Sequence, residues 1–151
     1  MGNTLKKAVV LLLSLVLLAA CTDIQQVHED IKNNTENYIQ DFVSGDFKSF
    51  AKCFSSGIDE NEKDNLLKNT QTAFNSIDGK IIEHKFVSEG GGTEEKASGE
   101  IVYYNCYPEY MLKTDKGKEY RFIFSYRYIC KDDPKKEGVY DIEIVDKSTK
   151  A

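Results

Sequence analysis

The sequence predicts an α+β domain in which three N-terminal helices pack on a curved, four-stranded antiparallel sheet. Apolar residues recur at helical spacing between Ile24 and Ile77. At Lys80 the period changes to strand-like alternation, and ten aromatic residues fall between Tyr103 and Tyr140. Turn signals at Ser44-Gly45, Ser55-Ser56-Gly57, Asp78-Gly79 and Asp115-Lys116-Gly117 separate the periodic segments. A chain of 151 residues supports one such domain, expected over 24–147 with a tail at 148–151.

The first segment has a different character. Residues 8–20, AVVLLLSLVLLAA, form an uncharged run preceded by Lys6 and Lys7, with no acidic residue before Asp23. Thirteen apolar residues fall short of the roughly 20 that a spanning helix requires but suit a secretory signal. The run ends in Leu18-Ala19-Ala20-Cys21, which resembles the lipobox of bacterial lipoprotein signals. The resemblance implies a signal peptide at 1–20, cleavage between Ala20 and Cys21, and a diacylglycerol thioether on Cys21. Residues 21–23 would form the anchor and a short tether to the cell membrane, with the domain on the extracytoplasmic side. A soluble cytoplasmic enzyme is disfavoured. Loss of Lys6 and Lys7 with the signal leaves 18 of the 20 basic side chains against 25 acidic ones, moving the charge from −5 to −7. That balance argues against nucleic acid as a partner.

Helix 1 is expected over about 24–43, because Ile24, Val27, Ile31, Tyr38, Ile39 and Phe42 share a stripe, with His28 and Thr35 at or beside it. Gly45 supplies its C-terminal stop, and Asp46 caps a short second helix carrying Phe47, Phe50, Ala51 and Phe54. A third helix runs from about Asn61 to Ile77, with Leu66, Leu67, Thr70, Ala73, Phe74 and Ile77 inward. Residues 81–89 form the first strand, and the glycine-rich 90–99 a long hairpin loop or a rim over a cleft. Residues 101–114 pair with 118–131, and 138–146 close the sheet with Tyr140, Ile142 and Ile144 inside.

Parity sets the register of the central hairpin. A three-residue loop at Asp115-Lys116-Gly117 matches Leu112 with Tyr120, Tyr110 with Phe122 and Cys106 with Tyr126, keeping both apolar rows on one face. Cys130 then opposes Val102, about 13 Å along the strands from Cys106 and beyond disulfide reach. With Cys21 lipidated, Cys53, Cys106 and Cys130 are expected as buried, unpaired thiols, although Cys53 could instead meet a strand cysteine. Pro108 cannot donate to a ladder and should mark an edge or a bulge.

Chemical signals are sparse. His84, between Glu83 and Lys85 with Ile82 and Phe86 on its own face, is the acid–base candidate, because imidazole titrates near neutrality. His28 reads as a packing residue. The sequence shows no HExxH, no Cys/His cluster, no GxSxG and no phosphate-binding glycine loop in a strand-to-helix context, so no metal or cofactor is expected. Asp141 and Glu143 share a strand face that reads as solvent-facing. Tyr126-Arg127-Tyr128 is explained by alternation, which sends Arg127 and the tyrosines opposite ways.

Three segments carry a resemblance to a known family: Phe42-Val43-Ser44-Gly45-Asp46 leading to Phe54-Ser55, Thr114 to Phe122, and Glu137 to Ile144. Over roughly 24–147 the chain resembles small bacterial lipoproteins of the Firmicutes type, a family of uncharacterised function with the cone-shaped fold of nuclear transport factors and cystatin-like domains. The resemblance implies that cone fold; its motifs are structural and bring no catalytic residue. The expected role is therefore non-catalytic: binding a small ligand, a peptide or an envelope partner through a concave side lined by Tyr104, Tyr110, Tyr126, Tyr128 and Tyr140. Two other readings compete. One is a small hydrolase or isomerase using His84 and a buried carboxylate in the cone. The other is an accessory or homodimer-forming envelope protein using the outer sheet face, where Ile123 and Ile129 interrupt the charges.

Overall fold

The computed structural model describes residues 25–97 and 101–147. The expected signal peptide, the cleavage point at Ala20–Cys21, the lipid-bearing Cys21 and the tail at 148–151 lie outside the described residues. The chain divides into two compact units at Asn33 and Asn34. In the first, the described residues are helical and carry a Gln26 Nε2 to Asp30 Oδ1 hydrogen bond of 2.8 Å. The second holds the sheet and the rest of the helical layer.

Helix α1 covers 25–44, α2 Phe47–Phe50 and α3 Glu60–Ser76; α2 continues into a 3-10 turn at Ala51–Cys53. The local reasons are those the sequence announces. Gly45 adopts φ +75°, and the Asp46 carboxylate accepts from Ser49 N at 3.1 Å to start α2. Asp59 does the same for α3, accepting from Glu62 N at 2.9 Å.

The sheet is a simple meander, β1 (Ile81–Glu95), β2 (Ile101–Thr114), β3 (Glu119–Cys130) and β4 (Gly138–Asp146), in the order β1-β2-β3-β4. Its loop register is the predicted one: Leu112 pairs with Tyr120, Tyr110 with Phe122 and Cys106 with Tyr126, and Gly117 takes φ +75°. The nuclear-transport-factor-like, cystatin-like cone is corrected, however. The sheet is neither curved nor closed; β1 and β4 are its two edges and do not pair with each other. The helical residues sit directly on it. Phe42 is fully buried, with ring centroids 4.6 Å from Phe122, 5.8 Å from Phe50 and 5.2 Å from Phe74. Phe50, Phe122, Phe124, Tyr110 and Leu112 complete this core.

Bulges account for the remaining differences. The register of β1 on β2 shifts between Phe86 and Ser88, leaving Val87 as the extra residue and moving Glu89, Gly91 and Thr93 to the side of Phe86. The strand then runs through the three glycines to Glu95, where a loop or rim was expected. Gly91 explains the choice of residue: a Cβ there would lie 2.6 Å from the Asn105 carbonyl oxygen and 3.3 Å from the Tyr104 ring. Pro108 marks neither an edge nor a bulge of its own strand. It lies in central β2 opposite Glu89, and the register to β3 is unchanged on either side of it. A further shift between Tyr104 and Asn105 places Cys130 opposite Tyr103 instead of Val102. Cys53, Cys106 and Cys130 are all buried and unpaired. At the other edge, Ser55 N donates to Val139 O at 2.9 Å and Phe54 bridges Val139 in parallel. Gly138, at φ +120°, permits this approach, since a Cβ would meet the Ser55 backbone at 2.8 Å.

Candidate functional site

Two clusters of polar side chains lie on opposite faces of the sheet. On the helix-covered face three of the five expected tyrosines, Tyr104, Tyr110 and Tyr126, are buried. Tyr110 is fully buried, and its hydroxyl and the Thr35 hydroxyl lie 3.0 Å apart. Burial, opposed by Thr35 and reinforced by the nearby Glu36 carboxylate, raises the Tyr110 pKa to about 12. Tyr126 accepts from Asn34 Nδ2 at 3.5 Å and packs edge-on against Tyr38, with Tyr128 beside it at 6.0 Å. Tyr104 lies across Gly91 and donates to Glu89 Oε1 at 2.7 Å. Tyr104, Tyr110 and Tyr126 are wall and floor of the core, whereas Tyr128, the extra residue where the register of β2 on β3 shifts, is half-buried.

His84 belongs to the same face. Its Nε2 is 2.7 Å from Glu36 Oε1, and its ring centroid is 6.4 Å from that of Tyr110. The imidazole is about a quarter exposed, at 23 %, so it does not face open solvent. A carboxylate is therefore within hydrogen-bond reach, but the Glu36 side chain is 37 % exposed and is not the buried carboxylate that the acid–base reading requires. Glu36 had no signature in the sequence beyond being next to Thr35 on helix 1, because only the packing of α1 on β1 brings it to His84. A groove of about 390 Å³ elsewhere is lined by Val43, Phe74, Asn75, Ile77, Gly79, Lys80 and Ile81. It contains neither His84 nor any of the five tyrosines.

Tyr140 is corrected to the opposite face. The register of β3 on β4 shifts between Ser125 and Tyr126, pairing Ser125 with Asp141 but Tyr126 with Val139. Tyr140 is the extra residue, and its ring centroid lies 4.9 Å from the Arg127 guanidinium carbon. The Tyr103 ring is 5.4 Å from the same carbon. Arg127 Nε donates to the Tyr103 hydroxyl at 3.0 Å and to Asn105 Oδ1 at 3.3 Å. Burial and a hydrogen bond to the Tyr107 hydroxyl raise the Tyr140 pKa to about 12. Tyr107 is 44 % exposed, among the most exposed large apolar-bodied residues of the fold. Further along β3, Arg121 holds Glu109 through two bonds of 2.6 Å, and this keeps the Glu109 carboxyl below the usual carboxylate range.

Sequence reasoning missed the cluster of Tyr103, Asn105, Tyr107, Arg127 and Tyr140. Its first half was available, because the predicted register already opposes Asn105 to Arg127, as observed. The bulge that adds Tyr140 was not. Among the described residues no three His, Cys, Asp or Glu side chains converge as a metal site. No described helix is long and apolar enough to cross a membrane. No curated protein matches this chain. The α+β chain does, over residues 23–147, fit the family described as a domain of unknown function, DUF5104, and it belongs to that family.

Proposed function

We propose that this protein is a lipid-anchored, extracytoplasmic domain whose role is binding rather than catalysis, and that it meets an envelope polypeptide through the open face of its sheet. The anchor reading rests on Lys6-Lys7, the apolar run at 8–20 and Leu18-Ala19-Ala20-Cys21. The binding reading rests on one observation. The tyrosines beneath the helices are used in packing, whereas on the open face Tyr107 is exposed and hydrogen-bonded to Tyr140, one of two tyrosine rings beside Arg127. Tyrosine and arginine supply large contact area and directed donors, and both are enriched where interfaces gain most of their affinity.

Two experiments test the two halves. Radiolabelled palmitate should enter the wild-type protein and not the Cys21→Ala variant; equal labelling removes the anchor. A photo-crosslinking amino acid in place of Tyr107 should give discrete adducts in cells, whereas the same group at exposed Asn69 on α3 should not. Adducts at Asn69 alone would move the binding surface to the helices.

The acid–base reading keeps one supporting observation, the 2.7 Å contact between His84 Nε2 and Glu36. A carboxylate in that position orients an imidazole ring. Hydrolysis of p-nitrophenyl acetate that disappears in His84→Gln and falls in Glu36→Gln would support it; equal rates in all three proteins would remove it.

A further inference from the structure

We infer that Arg127 and its tyrosine frame form a binding site for a carboxylate, taken in two-point fashion by the guanidinium; this deepens the open-face reading above and rests on that face being the binding surface.

The chain contains two arginines, Arg121 and Arg127, both on β3. Their settings differ in one respect. Arg121 spends its fork on Glu109, with Nε on Oε1 and Nη2 on Oε2, both at 2.6 Å. Arg127 has no carboxylate within ion-pair distance among the described residues. Its Nε donates to the Tyr103 hydroxyl and to Asn105 Oδ1. Its terminal amino groups make no hydrogen bond to the described residues, and rings of Tyr103 and Tyr140 lie beside the guanidinium at 5.4 and 4.9 Å. Nε therefore sets the direction of the group and the rings restrict it, leaving the outer donors arranged before any ligand arrives.

A half-buried guanidinium with no counter-charge has lost part of its hydration, and the two Nε bonds and two tyrosine rings leave its terminal amino groups without a replacement. An anion restores it. The neighbouring Arg121–Glu109 pair shows the geometry that a planar carboxylate adopts on such a fork. One positive charge in a chain of net charge −5, with Asp141 on the same face opposite Ser125, suits a monoanion better than a phosphate dianion. The hydroxyls of Tyr103 and Tyr107 are additional donors, Tyr140 giving its proton to Tyr107. Tyr107 offers a ring on which a flat group next to the carboxylate can lie. A polypeptide segment with an acidic side chain or a terminal carboxylate beside an aromatic residue has this chemistry.

The test uses the full chain in a neutral detergent, labelled with nitrogen-15. Two arginines give two Nε–H signals, assigned by Arg121→Lys and Arg127→Lys. N-acetylphenylalanine should move the Arg127 signal saturably and leave that of Arg121 in place, while its amide should move neither. Arg127→Lys keeps the charge and loses the fork, and should weaken binding about tenfold, read on the Tyr103 and Tyr140 ring signals. Arg121→Lys should bind as wild type does. Equal response to acid and amide, parallel movement of both arginines, or stronger binding of inorganic phosphate would each overturn the site. Cross-linking at Tyr107 without a carboxylate response would retain the open-face reading and remove this inference. A carboxylate response with no adduct at Tyr107 would retain the site and make its ligand a small molecule.

Discussion

On the helix-covered face of the sheet, Tyr104, Tyr110 and Tyr126 are at most 7 % exposed and their hydroxyls meet Glu89, Thr35 and Asn34. On the open face, Tyr103, Tyr107 and Tyr140 gather around Arg127 and stay within reach of solvent. One residue type thus serves two ends. Below the helices the ring area stabilises and the hydroxyl must be paired to make burial tolerable. Above, the rings flank Arg127, and the hydroxyls of Tyr103 and Tyr140 are engaged by Arg127 and Tyr107. The same contrast separates the two arginines, one neutralised by Glu109 and one not.

Stability measurements can break this contrast, and the largest effect should come from the helix side. Phe42→Ala removes a fully buried ring that touches Phe50, Phe74 and Phe122, and should cost about 3–5 kcal/mol in urea unfolding. Tyr107→Ala on the open face should stay within about 0.5 kcal/mol. Similar losses from both would mean that the open face is also core.

A middle-sized effect sharpens the role of the buried hydroxyls. Tyr110→Phe should cost about 1 kcal/mol at neutral pH, because the 3.0 Å hydrogen bond between the Tyr110 and Thr35 hydroxyls is lost. Its pH dependence has a definite sign. Folding raises the Tyr110 pKa from 10.0 to about 12, so the folded state holds the phenolic proton more tightly than the unfolded chain. That stabilisation is complete below about pH 10 and is lost as the pH rises toward 12. Urea midpoints at pH 9, 10.5 and 11.5 should fall in the wild type and fall less in Tyr110→Phe, with Tyr104, Tyr126, Tyr140, Cys53 and Cys106, all raised likewise, contributing to the rest.

The smallest effect compares the arginines. Arg121→Lys gives up a two-point bond in a partly exposed pair and should lower the urea midpoint slightly; Arg127→Lys should lower it less. A larger loss from Arg127→Lys would make its tyrosine frame a structural clasp.

Much of this arrangement was readable from particular residues. Gly45 and Gly117 mark left-handed turns, Asp46 caps a helix, and the Asp115-Lys116-Gly117 loop sets three cross-strand pairs correctly by parity alone. The errors have one physical origin. A bulge adds a residue without an obligatory side-chain type, so Val87, Tyr140 and the slip beside Tyr104 reverse parity silently. Gly90 to Gly92 resemble a loop because composition does not reveal that Gly91 is pressed against the Asn105 carbonyl. The cone was inferred from a likeness of motifs, whereas curvature depends on how the strands are paired and bent. Glu36 meets His84 across 48 positions of chain, a distance at which local pattern carries no information.

The three buried thiols have a consequence for the life of the molecule. Burial raises the pKa of Cys53 and Cys106 and so suppresses the thiolate, the form that oxidants and disulfides attack. In the folded protein those two thiols are therefore guarded against oxidants without a disulfide among the described residues. An unfolded copy is not: opening releases three sulfhydryls with no native partners, and cross-linking then competes with refolding. Its durability is set by how seldom it opens, and a reversible opening becomes a terminal event when oxidant is present.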